Sequence, residues 1–186
     1  MRLVKNLCRI IVGIVFIYSG FVKGIDPLGS DYKFTDYFNA FGMGWMNATT
    51  LFFSFALSLA EFLIGIALLF NLWVSRMAWG SLLFMAFFTP LTLVLALTNP
   101  VSDCGCFGDA MILTNWQTFW KNIILLLLAI MIFMYRKEYK SSLPLVGQFS
   151  FLALAGAGML CLSVYCYRHL PVLDFRPYAV GKNITE

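Results

Sequence analysis

Five apolar stretches of membrane-crossing length leave this chain little choice of fold. They run over about residues 7–25, 50–72, 77–98, 116–135 and 145–167. A run of about 20 apolar residues is what a helix needs to cross a bilayer. Composition agrees: only 12% of the residues are charged, whereas soluble domains carry roughly 25%. Nine acids and thirteen bases cannot build a water-facing surface over 19 Phe and 5 Trp. The expectation is an all-α integral membrane protein, with residues 1–168 as a helical membrane domain and 169–186 as a tail. The net charge of +4 is modest and the bases form no single stripe, which argues against nucleic-acid binding.

A cleaved leader is the rival reading of the first stretch. The sequence after it, Tyr18-Ser19-Gly20-Phe21-Val22-Lys23, offers no small-x-small cleavage site, so a retained helix is preferred. Orientation follows from the bases at the span ends. With five spans, Arg2, Lys5, Arg9, Arg76, Arg136, Lys137 and Lys140 share one side with the single acid Glu138. The other side holds Lys23, Lys33, Lys121, Arg168, Arg176 and Lys182, offset by Asp26, Asp31, Asp36, Asp103, Asp109, Asp174 and Glu186. This asymmetry puts the N-terminus in the cytoplasm and the C-terminus outside. Trp45, Trp73, Trp79, Trp116 and Trp120 lie near span ends, where tryptophan anchors at the interface. The run Phe34-Thr35-Asp36-Tyr37-Phe38-Asn39-Ala40-Phe41 reads as an amphipathic segment that lies in the interface or caps the bundle. Asn47-Ala48-Thr49 and Asn183-Ile184-Thr185 match a glycosylation pattern that by itself carries little weight.

The outer side holds most of the candidate chemistry. Cys8 falls at the cytoplasmic end of the first span, where a buried inert thiol is the natural reading. Cys104 and Cys106 fall in an outer loop, separated by Gly105, and Cys161 and Cys166 fall in the outer half of the fifth span. Two thiols one residue apart can close a small, labile disulfide suited to exchange. Asp103 and Asp109 flank the pair and would raise a thiol pKa, so the pair reads as an exchanging couple, not as one strongly acidic nucleophile. A fixed bridge from the loop to Cys166, inert thiols, and a metal site with His169 remain open as structural alternatives. The last has the weakest spacing, and no metal site is assigned. Cys161 and Cys166 lie about 140° apart on a helix and do not share a face.

Glu61 is the only acid inside a span, about 15 Å from the cytoplasmic boundary by helical rise. Intramembrane ionisable residues are functional candidates by default. Tyr18, Ser19 and Thr89 fall at similar depth and can form a polar layer with it. Lys23 lies nearer the outer surface and reaches Glu61 only through a helix offset or an inward bend. The bland alternative is a hydrogen-bonded lock that fixes helix register. The four-apart pairs Gly20 and Gly24, Ala56 and Ala60, and Ala153 and Ala157 are the expected small-residue packing seams.

The segment Asp103-Cys104-Gly105-Cys106-Phe107-Gly108-Asp109, after a third helix and before a fourth, resembles that of the MauE/DoxX family. The first span, with Gly13, Ser19-Gly20 and the closing Lys23, is similar to the family's first helix, as is Glu61-Phe62-Leu63-Ile64-Gly65 to its second. The resemblance covers about residues 1–140. It implies a four-helix membrane bundle related to thiol-disulfide proteins that work beside a thioredoxin-like partner, with DoxX relatives linked to quinones. Carried over, Cys104 and Cys106 match the family's cysteine pair, Glu61 its intramembrane acid and Lys23 its first-helix base. The fifth helix and the tail depart from the minimal pattern and resemble longer DoxX-like proteins of Bacteroidota-type bacteria. There the tail leads into a soluble domain. The departure leaves methylamine metabolism unassigned.

Two functions follow as expectations. The first is a thiol-disulfide redox protein of the bacterial inner membrane. Its periplasmic Cys104–Cys106 loop exchanges electrons with a thioredoxin-like protein, with Cys161 or Cys166 as a relay and a quinone as electron carrier. The second is a non-enzymatic membrane subunit that holds other envelope proteins through a structural disulfide. A solute transporter fits less well, because the spans contain one acid and no pair of broken helices.

Overall fold

Backbone polar groups in a bilayer must be satisfied within each element, and the chain answers with helices. The computed structural model describes residues 2–101, 104–141, 143–173 and 175. Over these residues the elements are α1 (Arg2–Ile25), α2 (Pro27–Ala40), α3 (Thr50–Leu69), α4 (Val74–Thr98), α5 (Asn115–Met134) and α6 (Leu145–Arg168). Short 3-10 turns cover Gly44–Thr49 and Gly108–Ala110. All but α2 are long and apolar enough to cross a membrane, so the five expected spans are present.

Local chemistry sets the boundaries. Asp26 caps α2 by accepting from the Gly29 N–H at 3.0 Å, and Pro27 opens that helix where a missing N–H costs nothing. Thr114 and Gln117 form a reciprocal capping box at the start of α5. The second span ends earlier than its apolar run: Asn71 and Trp73 take left-handed conformations, and Leu72 is buried in the turn between α3 and α4. α4 consequently begins at Val74, ahead of the expected 77. α1 begins at Arg2 because its first turns are held by side chains. Lys5 pairs with Glu138 at 2.7 Å, and the buried Arg9 donates to the carbonyls of Leu68 and Leu69 at the end of α3. Tyr139 donates to the Lys5 carbonyl at 2.9 Å, and Asn71 to that of Lys140 at 2.6 Å. These bonds tie together one end of the bundle, the end rich in Lys and Arg.

α1, α3, α4 and α5 pack as a four-helix unit, with α1 against α3 and α4 against α5 as the main pairings. Cys8, Val12, Phe16, Leu68, Met85, Leu125 and Ile132 fill its interior. α6 packs on α1, α2 and α3 and touches neither α4 nor α5 among the described residues. α2, at 14 residues, lies over α3 and α1 at the opposite end, where Phe34, Phe38 and Phe53 form an aromatic cluster. The amphipathic run is thus a short helix that caps the bundle.

Small residues bring α1 and α3 into backbone contact, but only partly at the expected pairs. A Cβ on Gly20 would meet Phe62 N at 2.5 Å and Ser58 O at 2.6 Å. One on Gly65 would meet Ile17 N at 2.5 Å, and one on Gly13 would meet Gly65 O at 3.1 Å. Gly24 faces Met159 and Ser163 of α6. Ala56, Ala60, Ala153 and Ala157 are exposed and form no seam within the chain. The working seam is Gly13, Gly20 and Gly65, which couples two helices and does not repeat along one.

This seam generates a stability prediction. Gly65→Val should force α1 and α3 apart and cost about 1–3 kcal/mol or more, as overpacking does. Gly158→Ala, where nothing lies within 4 Å, should cost nothing. Thermal unfolding of the two variants in detergent, followed by circular dichroism, measures the contrast; equal midpoints would remove the seam from the argument.

Candidate functional site

At the end of the bundle away from the basic cluster, the α4–α5 loop folds over the ends of α1 and α5. Asn115 at the start of α5 donates to Asn99 Oδ1 at 2.7 Å and to the Val101 carbonyl at 2.9 Å, closing the loop at its base. Gly105 adopts φ +58° and Gly108 φ +52°, conformations that L side chains adopt at a cost. The turn is completed by the Gly108 N–H donating to the Gly105 carbonyl at 3.0 Å. Phe107 is buried between Tyr18, whose ring meets it edge-on at 5.4 Å, and Lys121, whose ammonium sits 4.1 Å from the ring centre. Two further bonds fix the cysteine backbone. Tyr37 of α2 donates to the Cys104 carbonyl, and Ser19 of α1 donates to the Cys106 carbonyl at 2.8 Å.

The loop thereby turns Cys104 and Cys106 toward each other, with their sulfurs 2.6 Å apart. Both are free thiols, Cys104 buried and Cys106 half-buried. Their environments separate their acidities. The contact with the Cys106 side chain does most to bring the Cys104 pKa down to about 6, against the opposing effect of burial. Thr118, with Oγ1 at 3.3 Å, the Cys106 backbone N–H and the charge of Lys121 lower it further. The same sulfur–sulfur contact, together with burial, raises Cys106 well above its ordinary value, while Lys121 and Lys23 oppose the rise. The surroundings thus favour the thiolate at Cys104 and the protonated thiol at Cys106. This differs from the sequence expectation, in which Asp103 and Asp109 make an acidic thiolate unfavourable. Asp103 and the Asp109 side chain lie outside the described residues; the groups seen facing the sulfurs are donors and cations.

Directly below the pair, Lys23 lies 2.7 Å and 2.9 Å from the two oxygens of Glu61. Both side chains are buried, at 12% and 4% exposure. Lys23 belongs to the last turn of α1 and reaches inward, which is possible because Gly20 lets the α1 backbone approach α3 at Ser58 and Phe62. Lys23 also donates to Ser19 Oγ at 3.2 Å, so a chain of contacts runs from Glu61 through Lys23 and Ser19 to the Cys106 backbone. The rest of the expected polar layer is not assembled. Tyr18 is 39% exposed and packs on Phe107, and the buried Thr89 hydroxyl has no hydrogen-bond partner.

Cys104, Cys106, Ser19, Lys23, Glu61 and Lys121 line one cavity of about 70 Å³, floored by Phe84, Phe88 and Leu125. The cavity therefore suits several waters. Cys161 is exposed and Cys166 buried on α6, and both are free thiols, so the bridge from the loop to Cys166 is not formed. His169 stacks on Tyr165 with ring centres 4.6 Å apart. Among the described residues no three His, Cys, Asp or Glu side chains group as a metal site. The sequence reading missed Tyr37, Thr118 and Lys121. A signal for two of them was present: Thr118, Lys121 and Asn122 are polar residues at helical spacing on one face of an otherwise apolar span.

The divided acidity has a direct readout. Alkylation of Cys104 by iodoacetamide should rise with pH through a midpoint near 6, since the thiolate is the nucleophile. One unit below that midpoint the rate should fall about tenfold. Cys106→Ala removes the largest cause of the shift and should move the midpoint upward. Modification rates followed by mass spectrometry would overturn the assignment if the wild-type midpoint lay above about 8, the range of an ordinary thiol.

Comparison with known proteins covers most of this architecture. The family model of methylamine utilisation protein MauE matches residues 1–135, which takes in α1 to α5, the loop cysteines, Lys23 and Glu61 and leaves out α6. No curated protein and no solved structure matches the chain. With five helices able to span a membrane and a family match over more than half its length, the chain is a multi-pass membrane protein that belongs to the MauE family.

Proposed function

We propose that this protein is a membrane thiol-disulfide redox protein whose Cys104–Cys106 loop exchanges electrons with an extracytoplasmic thioredoxin-like partner. The observation that carries the reading is the pair itself: two free sulfurs 2.6 Å apart, one acidic and one protonated. The Cys104 thiolate attacks one sulfur of a partner disulfide, forming a mixed disulfide and releasing a partner thiolate. Cys106 then loses its proton and attacks the Cys104 sulfur, which breaks the mixed disulfide and frees the second partner sulfur. The partner gains two electrons and this chain gains a disulfide; the reverse sequence oxidises the partner. The distribution of Lys and Arg supports an outward-facing loop in the bacterial inner membrane, the compartment where disulfides persist.

The family's name points to methylamine utilisation, but nothing in this site selects that substrate. The longer DoxX-like proteins remain the reading for α6 and the tail, most of which lies outside the described residues. No step of the exchange as written is assigned to a quinone. Cys161 and Cys166 have no role in the exchange as written.

Thiol trapping in cells tests the function. Cys104 and Cys106 should pass between thiol and disulfide when reductant is added and withdrawn. Cys106→Ser should accumulate a mixed disulfide with a periplasmic protein, visible as a reductant-sensitive band on a gel, and Cys104→Ser should not. If both variants leave the redox state of envelope proteins unchanged and no mixed disulfide appears, a scaffold role takes its place.

A further inference from the structure

Resting on that reading, we propose that the buried Lys23–Glu61 pair is the proton station for Cys106, with Glu61 receiving the thiol proton while Lys23 serves as counter-ion to whichever group is charged. The exchange needs Cys106 as a thiolate in its second step, in a half-buried position at the mouth of an apolar bundle. Creating a new charge there is expensive, whereas moving an existing one is not. The pair supplies the existing charge. Glu61 carries a carboxylate into the same cavity that Cys106 lines, and Lys23 contacts Glu61 directly. Transfer of one proton converts Cys106–SH and the Glu61 carboxylate into a Cys106 thiolate and a neutral Glu61 acid. The charge of the cluster stays constant, and the Lys23 ammonium contacts Glu61 and acts electrostatically on Cys106.

The geometry offers a path. The cavity of about 70 Å³ has room for several waters at ~10–15 Å³ each, enough to bridge the sulfur and the carboxylate. Ser19 accepts from Lys23 and donates to the Cys106 carbonyl, which holds the ammonium and the loop in register. The other titratable groups on the cavity are Lys33 and Tyr37 from α2, Cys104 in the loop and Lys121 from α5. α4 contributes Phe84, Met85, Phe88, Leu91, Thr92 and Leu95, none of which titrates, and α6 contributes no residue. Among the described residues Glu61 is thus the one carboxylate that lines the cavity. The timing also fits. While Cys104 is a thiolate it opposes ionisation of Cys106; once Cys104 is captured in the mixed disulfide that negative charge is gone and the proton can leave.

The test separates the two steps, using purified full-length protein in nanodiscs with glutathione disulfide as the oxidant and mass spectrometry to count the species. In the wild type the Cys104–glutathione mixed disulfide should convert to the Cys104–Cys106 disulfide at a rate that is nearly flat between about pH 6 and pH 8, because the proton is retained within the cluster. Lys23→Met leaves Glu61 buried without its cation. Conversion should then slow by about tenfold or more and rise with pH, about tenfold per unit, as the proton goes to solution. Glu61→Gln should gain the same pH slope, and Glu61→Asp should restore a flatter profile. The first step, mixed-disulfide formation at Cys104, should proceed in every variant.

A structural lock makes a different pattern, in which the variants lose thermal stability and both steps slow together with no new pH slope. Where the single variants do not fold, the double variant Lys23→Met/Glu61→Gln removes both charges and spares the bundle an unpaired ion. A folded double variant that resolves with the wild-type rate and pH profile overturns the proposal. Failure of the wild type itself to form the Cys104–Cys106 disulfide is a separate result, and it overturns the redox reading instead.

Discussion

The backbone contact between α1 and α3 is the constraint on which the rest depends. Gly13, Gly20 and Gly65 remove the side chains that would hold the two helices at ordinary spacing, and in a bilayer such close packing is a main source of helix association. The consequence is chemical as well as mechanical. Lys23 starts near the end of α1 and Glu61 lies in the middle of α3, yet their charged groups meet at 2.7 Å. An ion in hydrocarbon is tolerated only with a partner, and breaking a buried pair by removing one member costs about 3–5 kcal/mol. The glycine seam and the ion pair therefore support one another.

The loop above this pair is shaped from three directions. α1 supplies Ser19, α2 supplies Tyr37, and α5 supplies Thr118 and Lys121. Two of these hold carbonyls of the cysteines and two act on the Cys104 sulfur, so backbone position and acidity are set by different residues. A Cys-Gly-Cys sequence in an open loop would have neither control. α2 matters for this reason: too short to cross the membrane, it covers the bundle end and clamps the loop from outside. α6 lies on the far side of α1 and α3, beyond the four-helix unit and beyond the family match. Neither of its cysteines lines the cavity beside the thiols.

Much of this was legible in the chain itself. Apolar length fixed the number of spans. Glu61 stood out because an acid inside a span is rare, and Cys104 and Cys106 because one glycine separates them. The errors have physical causes. Ala56–Ala60 and Ala153–Ala157 satisfy the small-residue spacing as well as the glycines do, but spacing along one helix does not say which face meets a neighbour. Tyr18 and Thr89 were placed with Glu61 by depth alone, and depth leaves the rotation of each helix open. Sequence adjacency drew attention to the loop aspartates, whose side chains lie outside the described residues, while Thr118, Lys121 and Cys106 act on Cys104 through adjacency in space.

The sequence by itself determined a five-span membrane protein with one buried acid and a thiol pair in a loop, since apolar length, charge and cysteine spacing are local properties. Only the tertiary structure decided that the acid is paired, that the pair lies under the thiols, and that the two thiols differ in acidity. Each of those depends on how α1, α3 and α5 rotate about their axes, and rotation is set by packing between helices, which no single span encodes.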